Sequence, residues 1–205
     1  MVSRNGYIKM DKTINYYNQH AQEFCENTKN ADMSHVLEKF IAHLPQNALI
    51  LDAGCGSGRD SKYFLEKGLQ VEAFDASEEL CKIASEYTGI KIKQMLFEEL
   101  DEVELYDGVW ACASILHVEK KQLPEILKKI ATATKKGGIV YTSFKYGEFE
   151  GIRNGRFFTY LTEESFGEIL RSVSDLAIEK LWISADVRAE RGEERWLNIV
   201  LRKLA

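Results

Sequence analysis

The stretch Leu49-Ile50-Leu51-Asp52-Ala53-Gly54-Cys55-Gly56-Ser57-Gly58-Arg59-Asp60 reads as a buried strand that enters a glycine loop and hands over directly to a helix. Glycine has no Cβ, so backbone N–H groups in such a loop approach a ligand closely at the helix N-terminus. A second apolar stretch, Val71-Glu72-Ala73-Phe74, ends in another carboxylate, Asp75. An acid at the tip of the neighbouring strand can accept the hydroxyls of a ribose. Together the two features describe a nucleoside-binding crevice.

Asp52 selects among the nucleosides. A carboxylate two residues ahead of the first glycine would repel a pyrophosphate wrapped by the loop. At about 4 Å and an effective dielectric near 20, one like-charge pair costs roughly 4 kcal/mol. The spacing is also G-x-G-x-G, not the G-x-G-x-x-G of the dinucleotide fingerprint. A ligand with a ribose, an ammonium group and no phosphate suits Asp52, and S-adenosyl-L-methionine meets that description. The motif, with its preceding strand, Asp52 and Asp75, resembles the first motif of the class I S-adenosylmethionine-dependent methyltransferases. The cofactor implied is S-adenosyl-L-methionine, with S-adenosyl-L-homocysteine as product.

Composition narrows the class. A chain of 205 residues, nearly half of them apolar and only two of them proline, suits one folded domain with a sizeable core. The expected division is 1–45 for N-terminal lid helices, 46–145 for the cofactor-binding core and 146–205 for a substrate-side loop and closing strands. No run of eighteen apolar residues is present, and residues 1–12 lack the apolar stretch of a signal peptide. Cys25, Cys55, Cys81 and Cys112 form no C-x-x-C pair, so neither a metal site nor disulfides are expected, and a reducing cytoplasm is the default. A net charge of −5 disfavours DNA as a partner.

The chain then alternates strand and helix. Helices are expected over 13–28 and 33–43, with Pro45 breaking the second before a strand at 48–52. A helix over 59–67 stops at Gly68, a strand covers 70–75, and Ser77 caps a helix to about Tyr87. Strands follow at 90–95 and 106–111, a helix at 121–134 and a strand at 139–144. Thr162 caps a helix over 163–172, and strands at about 176–184 and 195–202 close the chain. Alternation of this kind builds an α/β fold, a doubly wound sheet with helices on both faces. The closing pair has no helix between its strands and must run antiparallel. The resemblance implies seven strands, mostly parallel, with the last strand antiparallel, and an N-terminal helical lid.

Candidate site residues follow from this frame. Gly54, Cys55 and Gly56 are expected along the methionine half of the cofactor, Arg59 on its carboxylate, and Asp75 with Ala76 at the ribose. Asp60 is expected only as a negative charge at the helix start. The family often places an aspartate after the third strand to meet the adenine amino group. Here Met95-Leu96-Phe97 stands instead, so adenine would be held by apolar contact and by backbone groups around Leu96, with Glu98 and Glu99 left to solvent. Asp107 should fix the start of the fourth strand, and Cys112-Ala113 end it. His117, just beyond, is the catalytic candidate: it could orient or deprotonate a nucleophile, or serve only as a helix cap or packing group. Tyr16-Tyr17-Asn18-Gln19-His20 is similar to the family's lid helix, with Tyr17 over the methionine end and Tyr16 facing substrate.

Residues 145–160 are long for a connecting loop and interleave Lys145, Arg153 and Arg156 with aromatics. Arg188 and its neighbours Arg191 and Arg195 lie between the closing strands. If these cations meet over the crevice, they favour an anionic or planar small-molecule substrate; pairing among Glu190, Arg191, Glu193 and Arg195 is the competing reading. The (D/N)-P-P-(Y/F) motif of amino-methylating enzymes is absent, as is the Pro-Cys pair of cytosine C5 enzymes. A transfer RNA or protein acceptor, or a module that binds the cofactor without turnover, are the alternatives carried forward.

Overall fold

A computed structural model describes residues 4–188 and 191–205. Seven strands form one sheet: β1 (Leu49–Ala53), β2 (Gln70–Asp75), β3 (Lys93–Gln94), β4 (Tyr106–Ala111), β5 (Thr134–Lys145), β8 (Leu176–Ala185) and β9 (Arg195–Lys203). Their spatial order is β3-β2-β1-β4-β5-β9-β8. The first five are parallel, and β9 lies antiparallel between β5 and β8. This is the mostly parallel seven-stranded sheet expected. The chain order reverses beside β1 and β4, which places the switch point at the carboxyl ends of those strands.

Helices α1 (Arg4–Thr28), α2 (Ser34–Ile41), α3 (Arg59–Glu66), α4 (Glu78–Thr88), α5 (Leu123–Ala133) and α6 (Glu163–Leu170) surround it. The expected caps are in place. Leu80 N–H donates to Ser77 Oγ at 3.2 Å, and Ser165 N–H to Thr162 Oγ1 at 3.2 Å. Asp107 performs its expected task, accepting from the Leu49 N–H at 2.9 Å while its other oxygen pairs with Lys135 at 2.8 Å. On one face of the sheet Trp110 stacks on Tyr141 at 4.1 Å and meets Phe40 of α2 and Phe64 of α3 edge-on.

Three elements depart from expectation. The third strand shrinks to two residues because the chain before it is tied to α4: Ile92 N–H donates to Ser85 Oγ at 3.0 Å. α1 begins near Arg4 rather than Thr13, since nothing between 7 and 12 stops a helix, and it kinks at His20 (φ −120°, ψ 19°). There the His20 ring donates to the Tyr16 carbonyl at 2.8 Å, taking the acceptor that a regular helix reserves for a backbone N–H. The long segment 145–160 contains a hairpin, β6 (Glu150–Arg153) and β7 (Arg156–Thr159). Its turn is Asn154-Gly155, both at positive φ (49° and 78°), the sequence and geometry of a two-residue hairpin turn.

Candidate functional site

The glycine loop folds back over the end of β2. Gly54 and Cys55 both donate their N–H groups to the Phe74 carbonyl, at 2.9 and 3.0 Å. Gly54 (φ 76°) also lies against the turn after β4, where a Cβ would stand 2.5 Å from Ser114 Cβ. Asp75 then clamps the loop to α4: one carboxylate oxygen accepts the Gly56 N–H and the other the Ser77 N–H, each at 2.9 Å. Each oxygen keeps a second acceptor site for a ligand hydroxyl. Burial raises the Asp75 carboxyl above its ordinary range, and the backbone N–H groups of Ser77, Gly56 and Ala76 oppose that rise.

Asp52 is only 2% exposed and accepts from Ser61 Oγ at 2.6 Å. Burial and the neighbouring Asp60 push its carboxyl up to about 8. Both causes bias the carboxyl that argued against pyrophosphate toward its protonated form. Asp60 is more than a helix-start charge. It receives both Nε and Nη2 of Arg59, at 2.7 and 3.0 Å, and the Trp110 indole N–H at 2.9 Å. Arg59 also donates to the Thr28 carbonyl at 3.3 Å. The two-pronged edge expected to hold a cofactor carboxylate is already taken by Asp60.

His117 sits on a short turn after β4, between Tyr17 and the hairpin. Its Nε2 accepts from the Tyr17 hydroxyl at 3.0 Å, and its Nδ1 donates to the Phe157 carbonyl. Burial is the main cause that lowers its pKa to about 4, with Arg156 and Lys145 adding to it against the Phe157 bond. At neutral pH the ring is uncharged and its bare nitrogen is occupied by Tyr17. In this structure both ring nitrogens of His117 are engaged, Nε2 by Tyr17 and Nδ1 by Phe157. His117→Ala should then weaken binding of S-adenosylhomocysteine several-fold, whereas His117→Gln keeps an acceptor and should recover most of it. Calorimetry on the two variants checks this, and equal affinity in both would show that the bond to Tyr17 does not support binding.

α1 is fastened at two further points. Phe157 N–H donates to Thr13 Oγ1 at 2.9 Å, and Asn18 Oδ1 accepts from Ser77 Oγ at 2.7 Å. On the opposite wall Phe97 meets Phe74 edge-on at 5.2 Å. The Leu96 N–H expected near adenine donates instead to Glu99 Oε2 at 2.8 Å. Ala113 holds a left-handed conformation (φ 50°) and its N–H donates to Ser143 Oγ at 2.9 Å. A non-glycine residue in that region stores strain of a kind common at binding sites.

These groups enclose a cavity of about 280 Å³. It is lined by every residue expected at the cofactor, from Tyr17 through Asp52, Gly54, Cys55, Gly56, Arg59, Asp75, Ala76, Met95, Leu96 and Phe97 to Cys112 and Ala113. His117, Lys145, Arg156 and Arg188 line it too, and so does Glu98, which the sequence left to solvent. Tyr16 and Arg153 do not. The Tyr16 ring stacks on His20 at 4.3 Å, and Arg153 is exposed and donates to the Tyr160 hydroxyl. Glu190 lies outside the described residues. Sequence reasoning missed Ser143 and Asn198, which line the cavity from β5 and β9. Ser143 lies near a strand carboxyl end, where the switch-point rule points. Among the described residues no cluster of three metal-ligating side chains occurs, and no helix is long and apolar enough to cross a membrane.

Comparison with known proteins agrees with this geometry. Residues 50–138 match a family model described as a methyltransferase domain. The Bacillus subtilis protein YqeM is 32% identical over 119 residues, covering 52% of this chain and 48% of that protein. A malonyl-acyl-carrier-protein O-methyltransferase of Pectobacterium atrosepticum is 32% identical over 107 residues, 50% of this chain and 42% of the relative. The chain thus matches less than half the length of these curated relatives. A crystal structure of 1,6-didemethyltoxoflavin-N1-methyltransferase from Burkholderia thailandensis, with bound 1,6-didemethyltoxoflavin and S-adenosylhomocysteine, superposes with a TM-score of 0.77. It covers 100% of this chain and 92% of its own at 22% identity, a likeness of fold.

Proposed function

We propose that the chain is a class I S-adenosylmethionine-dependent methyltransferase that moves the methyl group of S-adenosylmethionine to a small-molecule acceptor by in-line displacement. The sulfonium supplies the leaving group, so the protein contributes alignment and a dry cavity. In this reading Asp52 faces the cofactor ammonium across Gly54, Cys55 and Gly56, and Asp75 with Ala76 takes the ribose. Met95, Leu96 and Phe97 hold the adenine by apolar contact, Cys112 and Ala113 floor the methionine half, and Tyr17 closes it. Arg59 serves the site by fixing Asp60. An anionic or planar acceptor suits the rim where Arg156 meets the Phe158 ring, beside the ion-paired Lys145 and Arg188. The acceptor bound by the Burkholderia neighbour, itself a small molecule, supports that class.

Asp52 carries the reading. It is a buried carboxyl in the cavity wall beside a second carboxylate, with no ion pair of its own among the described residues. A cationic ligand provides the missing charge, and the proton on Asp52 should leave when it binds. The folded acid titrates near 8, far above its unfolded value, so its contribution to stability is full at low pH and is lost as pH rises through 8. A bound ammonium reverses this by favouring the carboxylate. Calorimetry at pH 7, where the ligand amine is still protonated, should show about one proton released per S-adenosylmethionine bound, as a dependence of the heat on buffer ionisation enthalpy. Asp52→Asn should abolish the release. Buffer-independent heats in the unaltered protein would mean that Asp52 does not meet the ammonium. Release of S-adenosylhomocysteine on incubation with metabolite pools then separates an enzyme from a module that only binds.

A further inference from the structure

Among the described residues five cations line the cavity, and four of them are neutralised in place. Arg59 is paired with Asp60, and Lys145 with Glu194 at 2.6 Å. Arg188 grips Asp186 with Nε and Nη2, at 2.9 and 2.6 Å, and Arg191 lies 3.9 Å from Glu194. Asp186 shows the strength of its pairing: against burial, hydrogen bonds from Arg188 and Trp196 hold its carboxyl at about 2. Arg156 is different. It has no carboxylate partner among the described residues, its Nε is fully buried without an acceptor, and its one hydrogen bond is a long 3.4 Å contact to the Tyr17 hydroxyl. Otherwise its guanidinium meets only ring faces, those of Tyr16 at 4.6 Å, Phe158 at 5.2 Å and Tyr17 at 5.7 Å.

A guanidinium held among aromatic rings, with its Nε buried and no counter-ion among the described residues, is costly to keep unless something else supplies the negative charge. Cation–π contacts offset part of that cost and leave the donors unused. The position is fixed from both sides. The next residue, Phe157, is bound through its N–H to Thr13 of the lid and through its carbonyl to His117. We propose that Arg156 is the anchor for a carboxylate on the methyl acceptor, whose apolar body lies among Leu116, Val118 and Phe158 in the same cavity. This rests on the methyltransferase reading and goes further, since it names the acceptor class and assigns its recognition to one of five candidate cations. A planar fork of donors matches a carboxylate better than a lysine would.

The test uses the whole chain saturated with S-adenosylhomocysteine and three probes of one shape: benzoate, benzamide and phenylphosphonate, titrated by ligand-observed NMR. Benzoate should bind at least about tenfold more tightly than benzamide and more tightly than phenylphosphonate. Arg156→Gln should erase the preference for benzoate over benzamide, and Arg156→Lys should retain part of it. Should Arg156→Gln fail to fold, the probe series on the unaltered chain and on Arg156→Lys still decides. No benzoate binding, equal binding of benzoate and benzamide, or a preference that survives Arg156→Gln overturns the assignment. Tighter phenylphosphonate overturns the carboxylate in favour of a phosphate-bearing acceptor. Failure of S-adenosylhomocysteine to bind at the outset strikes the methyltransferase reading instead, and the same probe series on the free protein still reads Arg156.

Discussion

Asp75→Ala should lower affinity for S-adenosylmethionine by about 1–3 kcal/mol, roughly a five- to 150-fold loss, and should also destabilise the protein itself. Both parts follow from one side chain. The carboxylate accepts the Gly56 and Ser77 N–H groups, which join the glycine loop to the start of α4, and retains acceptor sites for the ribose. Removing it leaves two part-buried N–H groups unpaired, at roughly 1–3 kcal/mol each when nothing replaces them. Asp75→Asn is the sharper variant. Its amide offers one acceptor oxygen, and its NH₂ is turned against one of the two N–H donors, so the loop should loosen on one side while the volume is kept. Calorimetry reports affinity and denaturant unfolding reports stability. Full affinity in Asp75→Ala would place the ribose elsewhere.

Gly54→Ala should destabilise the fold by about 2–4 kcal/mol and lower Tm by several degrees. Two terms add. At φ 76° any Cβ pays the left-handed penalty, roughly 1–2 kcal/mol. The new methyl would also stand 2.5 Å from Ser114 Cβ, an atom one bond from the backbone that cannot swing aside. Ser114 is held there by its hydroxyl, which donates to the Ala53 carbonyl at 2.7 Å. The double variant Gly54→Ala, Ser114→Gly should recover the steric share and leave the backbone share. The two changes should therefore be non-additive by 1 kcal/mol or more, within the range for residues in contact. Additive losses would show that the turn after β4 moves freely and that the contact is not a constraint.

The sheet and the cofactor half of the site were legible because their signals are local. A strand, a glycine loop and a helix start are contiguous in 49–60, and Asp75 ends the next apolar run. The rim was less legible. Asn154-Gly155 is a strong short-range hairpin signal, yet in a stretch crowded with charges and aromatics it read as loop. The partners of the cations could not be seen at all. Arg59 is spent on its own neighbour Asp60 because Trp110, fifty residues on, draws that carboxylate inward. Arg188 is neutralised by Asp186, whereas Arg156 is free because the hairpin lifts it away from every acid described. Such pairings are properties of packing, with no periodic trace in the sequence. His117 shows the same limit: its hydrogen bonds to Tyr17 and Phe157 come from packing that the sequence does not display.

The placement of β9 bears on how the chain is made. The sheet's last-synthesised strand is wedged between β5 and β8, so neither can complete its ladder until residue 203 has left the ribosome. Until then the flank of β5, with Ile139, Val140, Tyr141 and Phe144, is an open apolar template during translation. Nascent chains stalled before residue 195 should therefore be caught by holdase chaperones, and those released past 203 should escape them.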